Sequence, residues 1–389
     1  MSKAKENEIL QVAKQLKQAI QCQNGEIVAR FFDITFLYQK KEACQELVNR
    51  NISKFLGHDL WMEAFSYLFQ VPLCQSQIDA YSLYNKATAP LIRDFKTLVS
   101  NLGVPCVKSI ARSLRIFATN ADYASAVHQM QKLIKLALSS PSNVSGGSSL
   151  VTVINQLMAV YFQRNNVTQA SKLLEYDENI NPRYFSDSEL CTYHFYRGRI
   201  HAINLEIEKA HDDLLEVYYK CPLESKSNRR LLLIYLIPIQ FFYGKLPTTG
   251  HGLLEHYNLD FFAPFANSIA LGRIRAFDRA LREHQLLLIK LGIYQLMAST
   301  RKLVYYQLLK CVYEIYGSDK IPVRAFHEAL LLPDDQNDDL ADAPSYTIDE
   351  AESIVAGLIE MKLVKAYIHH GYHFIVFAKD PFLLCSSSK

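Results

Sequence analysis

Three histidines cluster near the C-terminus: His369, His370 and His373, on either side of Gly371. Imidazole is the commonest metal ligand, so three rings within five residues are a place to look for an ion. They fall on a turn with no fourth ligand legible beside them, and exposed turn histidines are the plainer expectation. Neither a metal nor a cofactor is expected. Ser299 and Lys302 have S-x-x-K spacing, but no other element of a Ser–Lys hydrolase accompanies them. Phosphate loops, dinucleotide-binding glycine turns, nucleophile elbows and H-E-x-x-H helices are missing from the sequence. With no nucleophile–base pair legible, the chain is expected to be non-catalytic.

What remains is the chemistry of surface cations. Arg301, Lys302, Lys310, Lys320, Arg324, Lys362, Lys365 and Lys379 are scattered over the C-terminal part, where they could meet nucleic-acid phosphates. A purely protein-binding surface is the even alternative. A second group, Arg197, Arg199, Lys209, Arg229 and Arg230, lies on or before helices in the middle of the chain, and each has a solvated helix face as its alternative. Lys108, Arg112 and Arg115 form a third basic face, read first as solvated.

Composition narrows the classes further. Net charge is only +3 over 389 residues, so any nucleic-acid contact must come from a local patch. Half the residues are hydrophobic, 49%, enough for a sizeable core. The eight cysteines form no C-x-x-C pair, which suits small buried hydrophobes in a reducing compartment. The N-terminal stretch is polar and amphipathic, without the apolar region of a signal peptide. A soluble nuclear or cytoplasmic protein is expected, with no membrane insertion.

The elements that must position these residues are helical. The run from Leu231 to Tyr243 is interrupted only by Pro238 and Gln240 and is stopped by Gly244. A helix apolar on nearly every face must be buried on nearly every face, and this one is shorter than the roughly twenty residues a bilayer needs. Ser227 and Asn228 read as its caps, and Pro238 should bend it. Upstream, helical spacing predicts helices over 5–22, 27–37, 42–55, from Trp61 onward, 77–100 with an interruption at Pro90, 107–119, 123–138, 150–164 and 168–174. Gly103 and Pro105 are expected to separate two of them, and Asp122 to cap the next. The Ser/Gly-rich segment 139–149 reads as a surface loop. Residues 187–221 read as a tetratricopeptide-type pair, with small Gly198 and Ala210 allowing close approach.

Downstream, helices are expected over 261–292, 296–316 and 321–332, then an acidic loop over 333–345. Thr347 and Glu350 form a capping box for a further helix. Lys362 to Ile368 and His373 to Ala378 alternate as a hairpin. Three helices followed by a hairpin make a winged helix.

Two motifs carry a resemblance. The first is the basic pair Arg229–Arg230, Leu233 to Leu236, Pro238, Gly244, Pro247, Thr248, then Leu253, Leu254, Tyr257 and Leu259. The second is Leu114 to Asp122, LRIFATNAD. Together they resemble the PCI-domain family, in the branch found in nuclear transcription-coupled (TREX-type) mRNA export complexes. The resemblance implies a mainly α chain: a right-handed TPR-like helical-repeat stack ending in a winged helix with a small β-hairpin. The division it suggests is 1–186, N-terminal repeats; 187–300, the PCI helical part; and 301–389, the winged helix. It implies a scaffold that pairs with a larger PCI scaffold and with a small acidic disordered protein shared with the proteasome lid. Arg197, Arg199, Lys209, Arg229 and Arg230 would rim the groove for that protein, and the C-terminal cations would join a composite RNA- or DNA-binding surface. The implied location is the nucleus, at the nuclear pore, with a cytoplasmic pool. The alternative is a structural PCI subunit of the signalosome, proteasome lid or an initiation factor, without nucleic-acid contact.

Overall fold

The structure is a computed structural model that describes residues 14–49, 60–93, 100–139, 148–247, 252–333 and 345–383. The start of the expected first helix, most of the Ser/Gly segment and most of the acidic loop lie outside the described residues, as do Thr248 and Cys385. Two compact units divide the chain, Met1–Tyr196 and Arg197–Lys389. Among the described residues no helix is long and apolar enough to cross a membrane.

The first unit is helical. Its longer helices are Gln77–Arg93, Ser100–Asn120, Tyr123–Ser139 and Leu150–Gln163, preceded by shorter ones such as Gly25–Phe31 and Leu60–Leu68. Aromatic residues fill its core: Trp61 stacks on Phe65 at 6.0 Å, and Phe117 lies 5.4 Å from Tyr81 and 5.2 Å from Tyr84. The Tyr84 hydroxyl and the Ser113 hydroxyl both donate to the Phe32 carbonyl. Asp122 caps the following helix by accepting from the Ser125 N–H, as expected. Two prolines behave differently from expectation. Pro90 does not interrupt its helix, and Gly103 and Pro105 lie inside the helix Ser100–Asn120 instead of closing the one before. Each proline sits near a helix end, where it removes one hydrogen bond while the flanking apolar faces stay buried, and burial outweighs that loss.

In the second unit the helix ending at Ile203 is followed by Ile207–Lys220 and then by the central helix Lys226–Phe242. The central helix buries Leu232 through Ile239 and Phe241, as its apolar run predicts, while Leu231 at the start of that run is exposed. It starts earlier than expected: Ser225 is the N-cap, without a side-chain capping bond, so Ser227 and Asn228 lie in the first turn. Pro238 is inside the helix. The Tyr235 hydroxyl donates to the Leu291 carbonyl at 3.0 Å, tying the central helix to the helix Gln285–Leu291.

The winged helix follows. Its helices are Arg301–Tyr316, Val323–Leu331 and Ile348–Glu360, the last closed by the expected Thr347–Glu350 capping box. The sheet has three antiparallel strands, β1 (Lys320–Pro322), β2 (Val364–His369) and β3 (Phe374–Phe382), in the order β1-β3-β2. The sequence reads β1 as the start of a helix; three residues carry no legible period, and only their pairing with β3 makes them a strand. The register places Ile321, Ile375 and Ile368 in one row across the sheet, with Ile321 and Ile375 fully buried. At the tip of the hairpin the left-handed residue is His373, with φ +52°, and not Gly371.

Candidate docking surfaces

Antiparallel partners point to the same side of a sheet, so the row opposite the buried isoleucines can be read from the register. Lys320, Val376 and Tyr367 form one line across the three strands, and Pro322, Phe374 and His369 the next. Lys365 lies two residues before Tyr367 on the same side of β2. Tyr367 is 61% exposed, and the Lys320 ammonium sits 4.5 Å from the centre of the Phe374 ring. This outer face of the wing therefore offers cations beside aromatic rings. Lys379 lies in the stretch of β3 where the pairing with β2 is irregular, opposite Lys365, and exposed Lys362 precedes β2 in a left-handed conformation.

The other C-terminal cations are mostly spent within the fold. Arg301 donates two bonds to Asp278 and one to the Tyr346 hydroxyl, and lies over the Tyr305 ring. Arg324 pairs with Glu328 and Lys310 with Glu314, each one helical turn on. Lys302 is exposed. Burial pushes the Tyr305 phenol up, helped by its bond with Tyr346. The expected eight-residue patch thus reduces to the sheet face, the neighbouring Lys362 and Lys379, and Lys302.

The middle group is divided in the same way. Arg197 grips the buried Asp213 carboxylate through Nε and Nη2, at 2.5 to 3.0 Å. Arg229 is buried, which corrects its expected place on an exposed rim. Its guanidinium donates to the carbonyls of Tyr218, Cys221 and Pro222 and stacks 4.9 Å from the Tyr218 ring. It closes the C-terminus of the helix Ile207–Lys220, where carbonyls lack helical partners. Arg230 donates to the carbonyls of Tyr257 and Asn258. Exposed Lys209 pairs with Glu206.

Arg199, of this group, lies beside a cleft. It lies over the Tyr235 ring at 5.1 Å, and Tyr235 helps line an apolar cleft of about 230 Å³ with Ala202, Ile203, Ile289 and Leu296. On the same helix as Ile289, which is 55% exposed, Leu286 is 84% exposed. A sequence places these residues on a helix but has no means of showing that they face outward.

Of the histidines, His369 packs its ring against Tyr372, while His370 and His373 turn towards a residue the sequence does not suggest, Glu352. The Ser299 hydroxyl donates to the Leu296 carbonyl within its own helix.

Helical repeats followed by a winged helix, with apolar and cationic side chains turned outward and few ionisable groups converging, define a PCI-domain scaffold protein. Residues 281–379 match the PCI domain family, and residues 117–250 match PSMD3-like, N-terminal TPR repeats. Among its relatives are PCI domain-containing protein 2 homologues of Caenorhabditis elegans, 30% identical, and of Dictyostelium discoideum, 33% identical. Those alignments cover 67% and 59% of this chain, and span 62% and 52% of the relatives' own length. PCI domain-containing protein 2 of Danio rerio is 25% identical, over 97% of this chain and 98% of its own. The chain belongs to the PCI-domain family, and its kin there are PCI domain-containing protein 2 and its homologues.

Proposed function

We propose that this chain is a non-catalytic scaffold subunit of a nuclear transcription-coupled mRNA export complex. It pairs with a larger PCI scaffold, takes up a small acidic disordered protein, and adds its wing to a composite surface for RNA or DNA. The observation that carries the nucleic-acid part is the outer sheet face, where Lys320, Phe374, Tyr367 and Lys365 combine phosphate-binding cations with rings on which bases stack. The acidic partner is supported by the apolar cleft with Arg199 beside it, since an acidic ribbon gains from apolar pockets edged by cations.

A second reading, a structural PCI subunit without nucleic-acid contact, is favoured by one fact: Arg301, Lys310 and Arg324 face carboxylates instead of solvent alone. Gel-shift titration of the partner-bound protein with a mixed-sequence RNA at two salt concentrations separates the two. The first reading expects salt-sensitive binding. Replacing Lys320, Lys365 and Lys379 by Ala should then flatten the log–log salt slope by about 0.7 for each phosphate that no longer meets a cation. Binding that ignores these substitutions, or none at either salt, leaves the second. Recovery of neither a larger PCI scaffold nor an acidic partner from nuclear extract rejects membership of the export complex.

A further inference from the structure

β2 ends at His369 and the chain makes one tight turn, His370–Tyr372, before β3. The turn is of the 3-10 kind, in which side chains three residues apart eclipse one another. His373 follows the turn in a left-handed conformation that completes the reversal and brings its ring to 5.6 Å from that of His370, centre to centre. The capped helix Ile348–Glu360 supplies Glu352 beneath them. One carboxylate oxygen, Oε1, lies 2.7 Å from Nδ1 of His370, and the other, Oε2, lies 3.5 Å from Nδ1 of His373. One ligand atom from each of the three residues can be chosen so that all lie within 4.8 Å of one another.

Glu352 itself is ill-suited to be an ordinary surface carboxylate. Its side chain is only 14% exposed, and Oε2 is shut off from solvent without a hydrogen-bond partner. A desolvated, unsatisfied carboxylate oxygen is costly and needs an explanation. A cation held between it and the two imidazoles supplies one. Both rings are open to solvent, at 78% and 53%, which leaves an entry path and room for water to complete the coordination.

We propose that Glu352, His370 and His373 form a binding site for a divalent transition-metal ion of the zinc class. Two imidazole nitrogens with one carboxylate select zinc-like ions over calcium or magnesium, which prefer an all-oxygen set. Metal–ligand bonds of about 2.0–2.1 Å in tetrahedral geometry place ligand atoms about 3.4 Å apart. The His373–Glu352 contact, 3.5 Å to Oε2, is close to that value, while the 2.7 Å contact of His370 is to the other oxygen, so one carboxylate oxygen meets both imidazoles only after the exposed rings turn. The ion takes the place of the direct His370–Glu352 contact, and each coordinating ring nitrogen must present its lone pair to it. Once bound, it fastens the tip of the wing to the third helix of the winged helix. The fourth position stays with water or with a side chain from whatever docks on the wing.

The test uses the full chain, stripped with chelator and titrated at pH 7.5 with Zn2+ by calorimetry and with Co2+ by visible absorption. One high-affinity ion per chain and a tetrahedral Co2+ spectrum are expected. Glu352→Gln, and His370→Gln combined with His373→Gln, each weaken binding by more than the roughly 10-fold to 100-fold seen when only an outer neighbour of a ligand is removed. The wild-type chain melts at higher temperature with Zn2+ present, and the variants do not, because an ion bound only to the native state shifts unfolding. The double histidine variant changes only exposed turn residues, so it keeps the test meaningful should Glu352→Gln fold poorly. Failure to bind, or equal binding by wild type and the histidine variant, overturns the assignment; the second result places the ion on other histidines or cysteines.

Discussion

Gly198 lies so close to Leu214 that a methyl group added to it would sit 2.8 Å from Leu214 Cγ and 2.9 Å from Cδ2. The two helices of the pair approach each other at this point because glycine has no side chain, and the neighbouring Asp213 is held there by Arg197. Gly198→Ala gains helix propensity of about 1 kcal/mol but must push a branched side chain aside, a strain of about 1–3 kcal/mol. A net loss of about 1 kcal/mol is expected, read as a lower urea midpoint at unchanged slope; a higher midpoint would show that the helices can separate cheaply.

The arginine pair of the central helix has structural tasks. Arg229→Ala removes a buried guanidinium and strands three carbonyls as well as a ring contact. A loss of about 2–4 kcal/mol is expected from hydrogen bonds to a charged donor together with the cation–π contact. Arg230→Ala, at a half-buried position with two carbonyl partners, should cost less. Chemical denaturation of both variants checks the order, and equal effects would contradict it.

Arg301 and Lys302 are adjacent in sequence and unlike in use. Arg301→Ala breaks a two-pronged bond to Asp278 and should cost about 1–3 kcal/mol, whereas exposed Lys302→Ala should stay within about 0.5 kcal/mol. A nucleic-acid defect in the Arg301 variant would thus be confounded by its lower stability. Thermal melts of the two variants side by side test this.

Alkaline pH should unfold the first unit. Burial pushes the Cys44 and Cys106 thiols up to about 12 and raises the Tyr84 phenol as well. The folded state keeps protons that the unfolded state releases, so these groups contribute stability below pH of about 8.5 that is lost as pH climbs towards 12. The urea midpoint should fall between pH 7.5 and pH 10. At pH 8 exposed Cys22 should label with iodoacetamide in the native protein, while Cys44 and Cys106 wait for unfolding. Native labelling of Cys106 at the rate of Cys22 would refute their burial.

Much of this protein is legible in its sequence because the causes are local. The burial of Leu232 to Ile239 follows from an apolar run, the Thr347–Glu350 box from four consecutive positions, and the Asp122 cap from its place before a helix. Each depends on bonds or periods that span a few residues, which a linear sequence records directly. The fate of the charges is decided elsewhere. Arg197 finds Asp213 sixteen residues on, Arg301 finds Asp278 twenty-three residues back, and His370 finds Glu352 eighteen residues back. β1 exists only because Lys320 to Pro322 pair with Val376 to Phe374, more than fifty residues away. A guanidinium or an imidazole looks the same in a sequence whether it faces water or a carboxylate. Which of these it meets depends on the path of the backbone between them, and that path is fixed only when the helices pack.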